Sequence, residues 1–316
     1  MGQVTRESCD TRAMRAIVTG GTGLIGHQLC KRLTTPVVLS RDPERARATL
    51  RDVGDITALS WGDDRPFPAG ALDGVDVVFH LAGEAVAGSR LTDERRRAVK
   101  ESRVRGTRNV VASLAAVPAA VRPRVLVAAS ATGYYGDRGD ELLDEKAAAG
   151  NDFLSDVCAA WEEEAAKAEA LGVRVVSARI GIVLDPAGGA IKTMAPAFKL
   201  GIAGRLGTGR QWMPWIHIAD VVGILMFMAE NEACRGPFNV TAPGVVTNAD
   251  FTRTYARVLS RPAFIPVPRF ALKIIFGDLA DSVLASQRTV TSKLNHAGYT
   301  FRYPDLETAL RALGAQ

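Results

Sequence analysis

Gly20, Gly23 and Gly26 recur at a three-residue spacing within Val18-Thr19-Gly20-Gly21-Thr22-Gly23-Leu24-Ile25-Gly26, and this spacing leaves few folds open. Ala16-Ile17-Val18 reads as a buried strand, and Leu24, Leu29 and Leu33, with Ile25 alongside, give the next segment an apolar helical stripe. A strand, a glycine turn and a helix in that order form the cradle of a dinucleotide pyrophosphate. Gly20 permits the tight turn, Gly23 lets a phosphate approach the backbone where a Cβ would stand, and Gly26 brings the helix onto the sheet. The N–H groups at the helix start bind the anion. Gly20, Thr22, Gly23, Leu24, Ile25 and Gly26 are therefore the first candidate cofactor contacts.

The rest of the first two thirds repeats strand and helix. Strands are predicted over Pro36 to Ser40, Ile56 to Trp61, Val75 to Leu81, Arg124 to Ala129 and Val173 to Arg179. The intervening helices include one opened by Asp42-Pro43 and long ones from Asp93 to Val117 and Asp152 to Leu171. Six strands separated by helices predict an α/β, doubly wound parallel sheet of the Rossmann type, by the right-handed crossover rule. Beyond Gly181 the rhythm breaks into glycine- and proline-containing segments, a helix at Ala219 to Glu230, a short strand at Pro237 to Val240 and a helix from Asn248. These predict a smaller C-terminal α/β lobe laid over the carboxyl ends of the strands, where ligands bind in such sheets. The expected organisation is a flexible extension over 1–13, a nucleotide-binding domain over 14–184 and a small substrate lobe over 185–316, interleaved with the first domain.

Composition removes several alternatives. In 316 residues, 47% hydrophobic content supports a large core and excludes overall disorder. The net charge of +5 is modest, and the densest basic stretch, Arg95-Arg96-Arg97 through Lys100, Arg103, Arg105 and Arg108, holds no interleaved aromatic residue. It reads mainly as a solvated helix face, and no nucleic-acid partner is expected. Cys9, Cys30, Cys158 and Cys234 form no Cys-x-x-Cys pair and the four histidines have no ligand-like spacing, so neither a disulfide framework nor a metal site is expected. The longest strongly apolar run, Val221 to Ala229, is too short to cross a bilayer, which makes a cytoplasmic location the expectation.

The end of the second strand bears on the choice of cofactor. A site for NAD places an acidic side chain there to accept bonds from the ribose hydroxyls, and the same carboxylate repels a 2′-phosphate. This chain has Ser40-Arg41, a hydroxyl followed by a guanidinium, which favours NADP(H) through charge-assisted bonds. Asp42, just before Pro43, is expected to cap the following helix and point away.

Three further segments follow the order of a known superfamily: His80-Leu81-Ala82-Gly83 after the fourth strand, Ser130-Ala131-Thr132-Gly133-Tyr134-Tyr135-Gly136 after the fifth, and Arg179-Ile180-Gly181-Ile182-Val183-Leu184 around the sixth. With Thr19 to Gly26 they resemble the extended short-chain dehydrogenases/reductases. The chain is more narrowly similar to the atypical "epimerase family protein" group, also called YfcH-like. This likeness is carried by Ser102-Arg103 with Gly106-Thr107, Trp161-Glu162, Gly207-Thr208-Gly209-Arg210-Gln211, Trp215-Ile216-His217-Ile218-Ala219-Asp220, Asn239 and Lys293 to Tyr299. It covers nearly everything after Met14. The resemblance implies an NADP(H)-binding oxidoreductase or epimerase-like protein acting on a small polar molecule, by analogy a nucleotide sugar. Its rival is a cofactor-binding regulatory protein without turnover, for example one linked to cell division. The expected partner is a small-molecule substrate, and a homodimer is left open.

The resemblance also assigns contacts. Leu81 and Ala82 line the adenosine ribose and pyrophosphate, Gly83 lets the cofactor pass, and Val183 sits where relatives hold the nicotinamide amide. Arg103 resembles either a cofactor contact or a helix-docking contact, with a plain surface arginine as the alternative. The superfamily's Tyr and Lys, four residues apart on the helix after the fifth strand, are replaced here by Leu154 and Cys158. Candidate chemistry therefore moves to the preceding loop. Ser130 or Thr132 is placed to bind a substrate oxygen and Tyr134 or Tyr135 to donate a proton, unless the Tyr-Gly pair only closes the loop. Gln211, Trp212, Trp215 and His217 are expected on the substrate side, with His217 alternatively a hydrogen-bonding residue at a helix start.

Overall fold

A computed structural model describes residues 14–86 and 91–314; the extension expected over 1–13 lies outside the described residues. Seven strands form one parallel sheet: β1 (Ala16–Thr19), β2 (Val37–Ser40), β3 (Thr57–Ser60), β4 (Val77–His80), β5 (Val125–Ala131), β6 (Arg174–Ile180) and β7 (Gly236–Val240), in the order β7-β6-β5-β4-β1-β2-β3. Successive residues point to opposite faces. Val18, Phe79 and Val127 face one core, and Ile17, Val78 and Leu126 face the other. The chain order reverses between β1 and β4, so the crevice above their carboxyl ends is the switch point at which such sheets bind ligands.

Helices α1 (Leu24–Cys30), α2 (Pro43–Thr49), α3 (Asp93–Ala116), α4 (Phe153–Ala166), α5 (Gly189–Lys199) and α6 (Ile218–Glu230) follow in chain order. α1, α2 and α6 contribute to one core and α3 to the other, while α4 reaches both through Trp161 and Ala165. Asp152 caps α4 by accepting from the Ser155 N–H at 2.9 Å, and the expected continuation to Leu171 is a tighter 3₁₀ segment, Lys167–Leu171. The stretch from Pro237 to Val240, read as part of the small lobe, instead completes the main sheet. It pairs with β6 from Gly236↔Val176 to Val240↔Ile180. Buried Arg174 on β6 binds the carbonyls of Met228 and Ala229 at 2.7 and 2.6 Å, satisfying the carboxyl end of α6 and tying that helix to the sheet.

The smaller body contains α5, α7 (Asn248–Val258), α8 (Arg269–Phe276), α9 (Leu279–Val283) and α11 (Leu306–Gly314), while α10 (Ser292–Ala297) returns to β7. Its core is a separate cluster in which Leu184, Phe198, Trp215, Phe251 and Leu310 meet. Asp220 on α6 clamps the last segment by accepting from the backbone N–H groups of Arg302 and Tyr303 at 2.7 and 2.9 Å.

Candidate functional site

At the switch point the glycines are held by contacts that other residues cannot make. Gly20 has φ +73°, and a Cβ there would lie 2.8 Å from the carbonyl of Leu81 and the amide of Ala82. A Cβ on Gly26 would come within 2.2 Å of the Gly20 carbonyl oxygen, so this residue seals α1 against its own turn. Gly23 is different. It caps α1 without a side-chain hydrogen bond, and a Cβ would meet only the Gly20 oxygen at 3.2 Å. Its remaining surroundings are the open cleft, so the packing of the protein itself does not demand glycine there.

That cleft, about 590 Å³, is lined by Gly20, Thr22, Gly23, Ser40, Arg41 and, from the far side, Leu81 to Glu84. Ser40 is oriented by its own turn, with the Asp42 amide donating to Oγ at 3.2 Å. The Asp42 carboxylate accepts from the Arg45 N–H at 3.0 Å and caps α2, as the sequence predicts. The cations across the cleft are occupied: Arg95 pairs with Glu84 at 2.7 Å and Arg105 with Asp63 at 3.2 Å. Exposed Arg41 has no ion pair among the described residues. Arg95 Nε is buried there without a partner among the described residues. Leu24, Ile25, Arg103 and Val183 do not line the cleft. Leu24 packs on Gly188, Ile25 on the sheet core, and Val183 pairs with Ile216.

The far wall is fixed by a buried relay whose members lie 61 and 27 positions apart in the chain, beyond the reach of any local pattern. The Ala82 N–H donates to Thr19 Oγ1 at 3.2 Å, Thr19 Oγ1 bonds His80 Nδ1 at 2.7 Å, His80 Nε2 bonds Thr107 Oγ1 at 3.0 Å, and Thr107 donates to the Arg103 carbonyl at 2.7 Å. Because the Thr107 proton is committed, Nε2 donates to Thr107, and in the neutral imidazole Nδ1 then accepts from the Thr19 hydroxyl. Burial, with the charge of Arg103 adding to it, pushes the His80 pKa down to about 4. Arg103 holds the same wall from below. Its guanidinium binds the Glu84 carbonyl at 2.8 Å and lies 5.0 Å from the Trp161 ring centroid, under Gly83. It is therefore a loop-docking residue. The basic run of α3 is solvated at Arg97, Arg105 and Arg108, as expected, while Arg95 and Arg96 pair with Glu84 and Asp278 and Arg103 is enclosed.

The loop after β5 corrects a second expectation. Tyr135 is fully buried; its hydroxyl donates to Asn239 Oδ1 at 2.6 Å and accepts from Arg179 at 3.0 Å. Burial pushes its pKa up to about 12, so it is a poor proton donor as well as an inaccessible one. Ser130 is 3% exposed and gives its proton to Glu162 at 2.6 Å, and Glu162 binds Arg179 through both oxygens at 2.8 Å. Thr132 is 5% exposed. Tyr134 alone of the four candidates is half-buried, with the Arg179 guanidinium stacked 3.5 Å from its ring centroid. Leu154 and Cys158 face this loop as the missing Tyr and Lys would, but they pack against Gly133, and burial pushes the Cys158 thiol up to about 11. Glu162 and Arg179, quoted above only within family segments, are the organising residues here.

A second cleft, about 900 Å³, opens between this loop and the small lobe and is lined by Gln211, Arg210, Asn151, Leu154, Arg269 and Ser286 among others. Gln211 is buried at the edge of this cleft, with Nε2 donating to the Leu206 carbonyl at 3.1 Å. Trp215 and His217 do not reach it. Trp215 is a fully buried core residue whose indole N–H binds the Gly244 carbonyl at 2.8 Å, and His217 Nδ1 accepts the Ala219 N–H at 3.1 Å as the cap of α6. Trp212 holds Asp140, a lining residue, at 2.7 Å.

With this geometry established, comparison with known proteins gives the family. The profile of the NAD dependent epimerase/dehydratase family matches residues 16–241, and that of a domain of unknown function, DUF1731, matches residues 267–313. The chain belongs to the NAD dependent epimerase/dehydratase family. Epimerase family protein Mb2239 of Mycobacterium bovis is 36% identical over 295 residues, covering 93% of this chain and 95% of that protein. Epimerase family protein YfhF of Bacillus subtilis is 36% identical over 305 residues, covering 95% and 98%. A crystal structure of human epimerase family protein SDR39U1 with NADPH is 30% identical, covers 96% of this chain and 99% of that one, and superposes with a TM-score of 0.84. No described helix is long and apolar enough to cross a membrane.

Proposed function

We propose that the chain binds NADP(H) in the cleft above β1 and β4 and acts as an oxidoreductase or epimerase on a small polar molecule in the adjoining cleft, in a cytoplasmic setting. The observation that carries the cofactor reading is at the tip of β2: Asp42 is turned into a helix cap while unpaired Arg41 borders the cleft. A guanidinium without a competing carboxylate suits a 2′-phosphate. Gly20 and Gly23 leave backbone free for the pyrophosphate, and Leu81 to Gly83, held by the Thr19–His80–Thr107 relay, would form the ribose wall. The nicotinamide would supply hydride chemistry; the chain's own part is to orient and to exclude water. Of the loop candidates, Tyr134 is the one whose phenol is not committed to a buried partner, and Gln211 supplies a polar contact on the substrate side. A nucleotide sugar is the substrate class favoured by the family.

A second reading, an NADPH-binding regulatory protein without turnover, is favoured by the apolar packing of Leu154 and Cys158 where the usual acid–base pair would be. Steady-state assays over candidate carbonyls and nucleotide sugars separate the two: cofactor reduction or sugar interconversion supports the first, and tight NADPH binding with none supports the second. The cofactor reading itself is tested by Gly23→Val. Its side chain occupies the phosphate space and crowds only the Gly20 carbonyl oxygen of the protein, so NADPH affinity should fall by about a hundredfold or more, near 2.7 kcal/mol, while the melting temperature falls only slightly. Unchanged affinity by calorimetry would refute the assignment.

A further inference from the structure

The small lobe carries an apolar surface whose exposed side chains line neither cleft. Nine large apolar side chains are exposed among the described residues, and six of them, Leu200, Ile202, Phe264, Ile265, Phe270 and Ile274, lie in two segments. The segments run side by side. The Ile265 and Val267 N–H groups donate to the carbonyls of Ala203 and Arg205 at 3.2 and 2.9 Å, and the second segment continues directly into α8. On α8, Phe270 and Ile274 are one turn apart and exposed at 68% each, while Leu272 is the buried anchor.

The charge on the same two segments has one sign. No Asp or Glu occurs between Asp185 and Asp220, nor between Asp250 and Asp278, whereas Lys199, Arg205, Arg261 and Lys273 are interspersed among the apolar residues and exposed. The carboxylates that border the region are paired with its flanking arginines: Arg253 with Asp250, Arg257 with Glu307 and Arg269 with Asp281. Lys199, Arg261 and Lys273 have no ion pair among the described residues. Protruding Phe, Ile and Leu set among cations are the composition by which a protein lies on an anionic bilayer: the apolar side chains enter the headgroup boundary and the ammonium and guanidinium groups stay with the phosphates. A second copy of the chain fits less well. A two-fold contact through this patch would bring its cations against one another, with no carboxylate in either segment to receive them.

We propose that the surface formed by residues 199–206, 261–268 and 270–274 docks the protein peripherally on a bilayer containing anionic lipid. The docking is independent of what either cleft binds. It is tested with the full-length protein and sedimented vesicles, phosphatidylcholine alone against phosphatidylcholine with about a third phosphatidylserine, in about 0.1 M salt. Binding to the anionic vesicles should be at least about tenfold stronger and should weaken as salt rises toward about 1 M. Two variants attack the two components separately: Lys199→Glu with Arg261→Glu and Lys273→Glu, and Phe264→Ser with Phe270→Ser. All five positions are exposed, so circular dichroism should be unchanged and each variant should lose about tenfold or more of the vesicle affinity. Equal binding to neutral and anionic vesicles, no binding to either, or a concentration-dependent dimer abolished by the Phe264 and Phe270 changes would each overturn the proposal, the last by assigning the surface to a second copy.

Discussion

The glycine cleft and the loop after β5 stand on neighbouring parts of one sheet, β1 and β4 beside β5, yet they are built from different parts of the chain. At the cleft the main chain is exposed and the side chains that fix it lie behind it, in the Thr19–His80–Thr107 relay and Arg103. At the loop the relation is reversed: Ser130, Tyr135, Glu162, Arg179 and Asn239 spend their polar groups on one another in the interior. The first arrangement leaves surface for a ligand. The second leaves Tyr134 and little else, so a polar, motif-like run is a poor guide to chemistry when a buried partner is available for each of its groups.

The largest effect that would break this contrast is at Glu162. Its carboxylate is 14% exposed and faces an Arg179 side chain that is 3% exposed; burial opposes the charge on Arg179, and the Glu162 hydrogen bonds more than offset that. Glu162→Ala strands a buried cation and should destabilise the fold by about 3–5 kcal/mol in denaturant titration. A loss below about 1 kcal/mol would mean that the network is slack and that Ser130 is free for other work.

Next comes acid. The folded-state pKa of His80, near 4, lies below the usual 6.5, so the unfolded chain binds the extra proton first. The relay's contribution is therefore complete above pH 6.5 and is lost as pH falls from about 6.5 to about 4, up to about 3 kcal/mol at 1.36 kcal/mol per unit. Unfolding curves across this window should show the decline in the wild type and much less of it in His80→Gln. Parallel curves would remove His80 as the pH-sensitive support of the cleft wall.

The difference between the two regions also explains what was readable in advance. Gly20, Gly23 and Gly26 announce a backbone geometry through local spacing, and the Asp42 cap is set by the next residue, so both were legible from a few consecutive letters. The Tyr135–Asn239 and Arg179–Glu162 contacts join residues 104 and 17 positions apart, and no periodicity links them. Arg96 pairing with Asp278, 182 positions away, hid the docking role of the α3 cations in the same way. Pro237 to Val240 reads as a strand, but its place in the main sheet depends on β6 offering a free edge, which only the assembled topology reveals. Trp215 and His217 lay in a segment whose family likeness was correct and whose side chains point inward.

The smallest of the expected effects sharpens the comparison most, because it concerns the one side chain at the cleft assigned to touch the ligand directly. Arg41 has no competing ion pair among the described residues, and the adjacent Ser40 hydroxyl is held at the mouth of the same cleft by its turn with Asp42. Ser40→Asp with Arg41→Ala removes a charge-assisted phosphate contact, worth about 1.5–3 kcal/mol, and installs a carboxylate that repels a 2′-phosphate but accepts bonds from ribose hydroxyls. NADPH affinity should therefore fall at least about tenfold, since tenfold corresponds to about 1.4 kcal/mol, while NADH affinity holds or rises. The Asp42 bond to the Arg45 N–H remains and only the Ser40 hydroxyl's bonds to the Asp42 backbone are lost, so the melting temperature should fall only slightly. Fluorescence titration with both nucleotides measures the two affinities. A wild type that binds NADH and NADPH equally, or a double variant that keeps its NADPH affinity, would show that Arg41 does not read the phosphate and that at this cleft, as at the loop, the side chains are bystanders to a site made by the backbone.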